Sequence, residues 1–290
     1  MISKGRVIKG IGGFYYVFFE NGKVLMGKAR GNLKRNKNTI YVGDLVECEI
    51  SDNNEMIITG ILERKNFLIR PPVSNLDMLV ITFSVKSPQI SNLVVDKLCA
   101  ACEIKGIDIA LCITKKDLLD EDEISRIKKI YSGIYPVVFI NGITGENTDL
   151  LFDIIKGKCV AFAGPSGVGK STLVNSLTGN DASETGNISE KTGRGRHTTR
   201  HVEIFSLKDN TYIYDTPGFT SLEIKGEDPR NIKNLFPEIR KRKGECRYLD
   251  CMHLSEPDCS VKKAVEKGEI SLERYESYTE ILKEATKWRK

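Results

Sequence analysis

Gly164-Pro165-Ser166-Gly167-Val168-Gly169-Lys170-Ser171 (GPSGVGKS) is the stretch on which the reading of this chain turns. It fits G-x-x-x-x-G-K-[ST], the phosphate-binding loop. Glycines let the backbone wrap closely around an anion while successive N–H groups point inward. The helix that follows turns its positive end to the same phosphates. Lys170 is expected to reach the β- and γ-phosphates and the Ser171 hydroxyl to bind Mg²⁺, so that Gly164 through Thr172 form the phosphate side of a nucleotide site. The flanks agree. Lys158–Ala163 (KCVAFA) is a short apolar run, as a buried parallel strand requires. Ser171–Leu177 is helix-compatible, with Leu173, Val174 and Leu177 on one face. A glycine-rich turn that binds nothing would leave both flanks unexplained.

Two further segments complete a nucleotide site. Thr114-Lys115-Lys116-Asp117 follows a predicted strand over 107–113. A carboxylate here accepts two hydrogen bonds from a guanine edge, from N1–H and the exocyclic amino group, and adenine offers no such donor pair. Bonds to a charged acceptor are worth about 1.5–3 kcal/mol each, so Asp117 favours GTP over ATP. Lys115 lies along the base. Asp215-Thr216-Pro217-Gly218 follows a second predicted strand. Asp215 is expected to hold Mg²⁺, through water, and the Gly218 N–H to touch the γ-phosphate. Between them the polar segment Asn180–Arg200 has too little apolar content to pack, so a mobile loop is predicted. Thr198 or Thr199 would reach Mg²⁺ from it, and loss of the γ-phosphate would release both segments. In ordinary small GTPases the phosphate loop comes first and the guanine motif last. Here the guanine motif precedes the phosphate loop and Asp215–Gly218 follows it, so the second switch leads straight into the C-terminal region and nucleotide state is expected to move that region.

The chain has 290 residues, of which 40% are hydrophobic, enough for two or three domains. A formal net charge of +5 is modest, but the basic residues cluster. Asn21 to Gly43 holds Lys23, Lys28, Arg30, Lys34, Arg35 and Lys37 with no acidic residue; Lys191–Arg200 and Arg240–Lys243 are similar. One such patch is an ordinary solvated surface, whereas three together point to nucleic acid. The N-terminus, Met1–Lys9, is polar and shows no signal peptide, and no run has the length of a membrane span. Cys48, Cys99, Cys102, Cys112 and Cys159 lie in apolar segments, as buried thiols of a reduced, cytoplasmic protein do.

Residues 1 to about 65 read as five short strands, Arg6–Ile11, Phe14–Phe19, Lys23–Arg30, Asp44–Ile50 and Met56–Leu62, with a hairpin at Asn21-Gly22. Five short strands suggest an OB-fold barrel, a common nucleic-acid platform, with the acid-free loop Gly31–Asn38 projecting from it. Arg70-Pro71-Pro72 reads as a boundary. Beyond it strands (76–83, 107–114, 135–140) alternate with helices (90–105, 121–132, 148–155), which argues a mostly parallel sheet covered by helices. Cys99-x-x-Cys102 spells a redox or metal motif, but it sits in an apolar helix with no second ligand pair near. His201–Leu207 and Thr211–Tyr214 form a predicted hairpin, and the rest turns helical and charged.

Cys246-x₄-Cys251-x-His253-x₅-Cys259 places three thiols and an imidazole within one short stretch. That is a complete tetrahedral Zn²⁺ set with no open position, hence structural. Arg240–Lys243 and Arg247 make its flanks basic. Leu272, Tyr275, Thr279, Leu282 and Ala285 follow helical spacing and predict a final amphipathic helix whose stripe packs inward.

The motifs GPSGVGKST, GRGRHTTRHVE and DTPGF, with the cysteine cluster, resemble the circularly permuted, ribosome-small-subunit-dependent GTPases (RsgA/YjeQ type) over nearly the whole chain. The resemblance implies an OB-fold RNA-binding domain (1–68), a permuted α/β P-loop GTPase domain (69–221) and an α-helical zinc-binding domain (222–290), hydrolysing GTP to GDP during late maturation of the small ribosomal subunit and its rRNA. GTP/GDP, Mg²⁺ and one structural Zn²⁺ are the expected cofactors, and a monomer is expected. The chain departs from the pattern twice. Thr114 stands where Asn is usual; a hydroxyl still ties neighbouring loops. Asn141-Gly142 stands where a Ser-Ala-type pair backs the guanine, which leaves open the N–H that meets the base oxygen. No Gln follows Gly218 to orient water, and the resemblance assigns that work to His197. Two other classes remain at this stage. One is an RNA-binding module that uses nucleotide only as a latch. The other is a P-loop kinase, against which Asp117 and Asp215-Thr216-Pro217-Gly218 argue.

Overall fold

The structure, a computed structural model, describes residues 2–31, 33, 39–86, 88, 90–179, 202–215, 224 and 226–287. The segment 180–201, with His197, Thr198 and Thr199, lies outside the described residues, as do Gly218 and most of the Gly31–Asn38 loop. In chain order the strands are β1 (Ile2–Ile11), β2 (Phe14–Phe19), β3 (Val24–Ala29), β4 (Leu45–Ile50), β5 (Met56–Ile61), β6 (Phe67–Ile69), β7 (Pro72–Ser74), β8 (Met78–Phe83), β9 (Asp108–Thr114), β10 (Val137–Ile140), β11 (Cys159–Ala163), β12 (Glu203–Ser206) and β13 (Tyr212–Asp215). The helices are α1 (Asn92–Lys105), α2 (Glu121–Tyr131), α3 (Thr148–Ile155), α4 (Lys170–Gly179), α5 (Pro237–Arg240), α6 (Ser260–Glu266) and α7 (Leu272–Lys287), with 3₁₀ turns at Lys116–Leu118 and Pro229–Leu235. The described chain forms two compact units, Met1–Leu79 with Ile155–Ala163 and Leu173–Phe219, and Val80–Ile154 with Gly164–Thr172 and Thr220–Lys290.

In the first unit the five N-terminal strands close on themselves. β1 pairs antiparallel with β2 and β4, β2 with β3, β3 runs parallel to β5, and β5 returns antiparallel to β4. That ring is the OB-type barrel expected from the sequence. Alternate residues point inward along a strand, and Val7, Val17, Phe19, Val46, Cys48, Met56 and Ile58 are buried there together. β1 begins four residues earlier than its sequence signal and also pairs with β12, where Lys9 binds Glu203 at 2.9 Å. β12 lies antiparallel to β13, and β13 parallel to β11, every residue of which is buried. Arg70-Pro71-Pro72 turns the two-stranded β6–β7 ribbon, with the Arg70–Pro71 peptide cis.

In the second unit β9 lies between β8 and β10, parallel to β10, and six of its seven residues are buried. Ile124, Ile127, Ile130 and Tyr131 form the buried stripe of α2, which opens with a capping box between Asp120 and Glu123. α1 packs Ala100 and Ala101 into a core shared with Ile232, Phe236, Val261, Tyr278 and Ile281. Cys99 and Cys102 are buried on α1, and burial pushes both thiols up, so the Cys-x-x-Cys pair is packing. Among the described residues no helix is long and apolar enough to cross a membrane.

The C-terminal helix forms, and Leu282 and Ala285 of its expected stripe are buried, but the buried face is rotated to take in Arg274. α7 buries Arg274, Ser277, Tyr278, Ile281, Leu282 and Ala285, while Leu272 is 56% exposed and Tyr275 and Thr279 are half-buried. The cause is Arg274. Its guanidinium is 1% exposed and donates to Asp96 Oδ1 at 2.6 Å from Nη1, and to Glu238 at 2.7 and 3.1 Å. Phe236, Tyr131 and Tyr135 surround it, ring centroids 4.7–5.8 Å away. Burial disfavours charge on Arg274, but Asp96 and Glu238 hold its pKa well above the usual value. An apolar stripe drawn from hydropathy places an arginine on the solvent side, and here two carboxylates rotate it inward.

Candidate nucleotide and metal sites

The phosphate loop leaves the end of β11 at Gly164. Its φ is +150°, and a Cβ there would stand 1.9 Å from the Thr82 carbonyl oxygen, so only glycine fits. Gly167 and Gly169 also take positive φ, +78° and +97°. Val168 is buried, while Ser166, Ser171 and Thr172 are exposed around the loop's mouth. The Lys170 ammonium donates to the carbonyls of Gly164 and Pro165, both at 2.7 Å. Burial lowers its pKa.

Thr114, the last residue of β9, is buried, and its hydroxyl donates to the carbonyl of Val168 at 2.7 Å, with Phe83 O a longer 3.3 Å away. The hydroxyl that replaces Asn therefore ties the guanine-type motif to the phosphate loop, as the sequence suggested. Lys115 takes the left-handed conformation (φ +57°), and Lys116–Leu118 close a 3₁₀ turn carrying Asp117, whose side chain is exposed.

The loop after β10 bonds to itself. Asn141 Oδ1 accepts from the N–H groups of Ile143 and Thr144 at 3.0 and 3.3 Å, and its carbonyl from Gly145 at 2.9 Å. The Asn141 N–H donates to Glu146 O, and that of Glu146 to Thr144 Oγ1. From Asn141 to Glu146, the N–H of Gly142 is the one without an acceptor among the described residues. A Cβ on Gly142 would sit 3.7 Å from Thr172 Cγ2, at the phosphate loop. Glu146, which the sequence reading passed over, pairs with Lys116 of the guanine-type motif. In the other unit Asp215 ends β13, paired across the hairpin with Glu203.

The cysteine–histidine cluster assembles. The ligand atoms of Cys246, Cys251, His253 and Cys259 lie within 4.8 Å of one another. His253 Nδ1 is 3.6, 3.4 and 3.3 Å from the three sulfurs, and Cys246 Sγ is 3.9 Å from Cys259 Sγ. Around a tetrahedral Zn²⁺ with Zn–S about 2.3 Å and Zn–N about 2.0–2.1 Å, those edges are about 3.5 Å and about 3.8 Å. The donor set fits. Cys251, His253 and Cys259 are buried. The residues that support them were not legible as such: Tyr275 donates to His253 O at 2.7 Å, Tyr278 to Met252 O, and Lys233 to Cys251 O at 2.9 Å. Glu256 accepts from the Met252 and Leu254 N–H groups, both at 2.7 Å. Burial pushes its carboxyl up, but backbone N–H bonds from Met252, Glu256 and Leu254, with the nearby His253, more than offset this and leave it below the usual range. The basic flank is partly neutralised: Arg240 pairs with Glu103 at 2.8 Å, Arg242 with Glu245 and Glu269, and Arg247 with Asp258 at 3.6 Å, while Lys241 and Lys243 are exposed.

The profile of the RsgA GTPase family matches residues 61–225, and that of the RsgA N-terminal domain residues 4–58. A relative from Caldanaerobacter subterraneus subsp. tengcongensis, named small ribosomal subunit biogenesis GTPase RsgA, is 42% identical over 283 residues, 97% of this chain and 95% of the relative. One of the same name from Clostridium botulinum is 41% identical over 289 residues, 99% of each. The crystal structure of YjeQ from Thermotoga maritima matches with a TM-score of 0.85 at 34% identity, covering 99% of each chain. That of YloQ, a circularly permuted GTPase, also gives 0.85 at 34% identity, covering 100% of this chain and 96% of the other.

Proposed function

The chain belongs to the RsgA GTPase family, and on that premise we propose that it hydrolyses GTP while docked on the small ribosomal subunit, assisting the late maturation of that subunit and contacting its rRNA. The observation that carries the nucleotide site is the 2.7 Å bond from Thr114 to Val168 O, which holds the guanine-type motif against the phosphate loop. In this reading Asp117 accepts from guanine N1–H and the amino group, Lys115 lies along the base, and the Gly142 N–H donates to the base oxygen. Gly164 to Gly169 wrap the phosphates with backbone N–H groups. Lys170 leaves the carbonyls of Gly164 and Pro165 for the β- and γ-phosphates. Ser171 and Asp215 hold Mg²⁺, with Thr198 or Thr199; bound there, the ion neutralises phosphate charge. The Gly218 N–H meets the γ-phosphate on the strength of the Asp215-x-x-Gly218 motif, and His197 orients the attacking water on the strength of the sequence resemblance.

The Cys246, Cys251, His253 and Cys259 set holds one structural Zn²⁺ and shapes an RNA-facing segment with Lys241 and Lys243. The barrel of residues 1–68 supplies a second RNA contact, beside a GTPase domain of 69–221 and a zinc domain of 222–290. The protein acts as a cytoplasmic monomer. GTP hydrolysis, with ATP as control, measured alone and with purified small or large ribosomal subunits, tests the reading. Guanine-specific stimulation by the small subunit alone is expected. Equal rates with and without subunits would overturn the ribosome-dependent cycle, and no turnover even with subunits would leave nucleotide as a latch on an RNA-binding protein.

A further inference from the structure

We propose that the ion pair between Lys116 and Glu146 is a specificity-determining clamp, which sets the spacing between the two groups that read opposite sides of the guanine edge. The inference rests on the guanine reading above. Those two groups stand on separate loops. The Asp117 carboxylate is carried by the 3₁₀ turn that begins at Lys116. The Gly142 N–H is carried by the loop from Asn141 to Glu146. Guanine is distinguished only when a donor for its oxygen and an acceptor for its N1–H and amino group stand at one fixed separation.

Each loop is stiff by itself. The turn is closed by Leu118 N–H to Lys115 O and Leu119 N–H to Lys116 O, both at 3.0 Å. The second loop is cinched by Asn141 at one end and by Glu146 at the other, where the Asn141 N–H meets the Glu146 carbonyl at 3.3 Å. A displacement of Glu146 is therefore passed to Asn141 and to Gly142 beside it. Thr114 fastens the first loop to the phosphate loop through Val168, and the Lys116–Glu146 pair fastens it to the second. Lys116 and Glu146 act as positioning residues: their effect reaches the base through Asp117 and Gly142. Both side chains are partly exposed, 31% and 48%, so the pair is screened and its effect is a few-fold.

The test compares binding of GDP, IDP (which lacks the exocyclic amino group) and ADP to the full chain and to Lys116→Met, Glu146→Gln and the charge swap Lys116→Glu/Glu146→Lys. In the unaltered protein GDP is expected to bind far more tightly than ADP. Each single variant is expected to lose about three- to five-fold in the GDP/IDP affinity ratio at low salt, to lose less at high salt, and to regain the ratio in the swap. A merely structural pair would weaken GDP and IDP alike and leave the ratio unchanged, which would overturn the clamp while the GDP preference over ADP kept the guanine reading intact. Single variants that lose the ratio without recovery in the swap would overturn it too. Equal GDP and ADP binding by the unaltered protein would bring down the guanine reading itself, and the clamp with it.

Discussion

Replacing Arg274 with methionine removes the guanidinium that joins α1, α5 and α7. Its bonds to Asp96 Oδ1 (2.6 Å) and to both oxygens of Glu238 (2.7 and 3.1 Å) are made at 1% exposure, and Asp96 is fully buried. Loss of the cation strands a buried carboxyl, which costs about 3–5 kcal/mol. At about 2–4 °C per kcal/mol this is a drop of about 6–20 °C in Tm. The buried thiols of Cys99 and Cys102 lie on the same helix as Asp96, so thiol labelling during thermal or urea unfolding reports the loss where it occurs. The deficit also has a pH signature. Burial already pushes the Asp96 carboxyl up, against the pull of Arg274. Without Arg274 the folded pKa stands further above the unfolded one, so protonation favours the folded variant at acidic pH and this support disappears as pH rises through the folded pKa. The variant should therefore trail the parent least in mildly acidic buffer and most in alkaline buffer. Asp96→Leu/Glu238→Met/Arg274→Met, which removes every charge of the node, should recover to within about 1 kcal/mol of the parent or surpass it. A single Arg274→Met variant that unfolds with the parent would refute the argument.

Thr114→Val leaves the Val168 carbonyl without its 2.7 Å donor, at about 1–3 kcal/mol; calorimetric titration should show GDP binding weakened by roughly 5- to 150-fold, with Thr114→Ser close to the parent. Purified protein should carry one zinc per chain by mass spectrometry, and Cys259→Ser should lose it and melt earlier. Because the ligands must be deprotonated, zinc should be released as pH falls. Burial lowers the Lys170 pKa, so its positive charge is lost at a lower pH than an ordinary lysine's. GDP affinity should fall correspondingly early as pH rises, whereas Lys170→Arg, whose charge does not titrate there, should show a flat profile.

What could be read from the chain were the features whose chemistry demands neighbours in sequence. A phosphate loop needs glycines and a lysine within a few residues. A guanine motif needs its carboxylate at a strand's end, and a zinc knuckle its thiols within reach of one ion. Barrel strands showed as short runs rich in β-branched and aromatic residues, and buried parallel strands as apolar runs such as Cys159–Ala163. The ribbon at Phe67–Ser74 escaped because its strands are three residues each, too short for a period to register.

The sequence by itself determined the kind of nucleotide site, the permuted order of its motifs and the three-cysteine, one-histidine donor set, because those are local constraints written in contiguous residues. The tertiary structure decided which distant groups hold them in place. Thr114 reaches a carbonyl 54 positions away, and Arg274 a carboxylate 178 positions away. Lys9 meets Glu203 across 194 positions. Neither hydropathy nor spacing contains such partners, because a paired polar side chain has the same sequence signature as a solvated one until the fold brings its partner beside it.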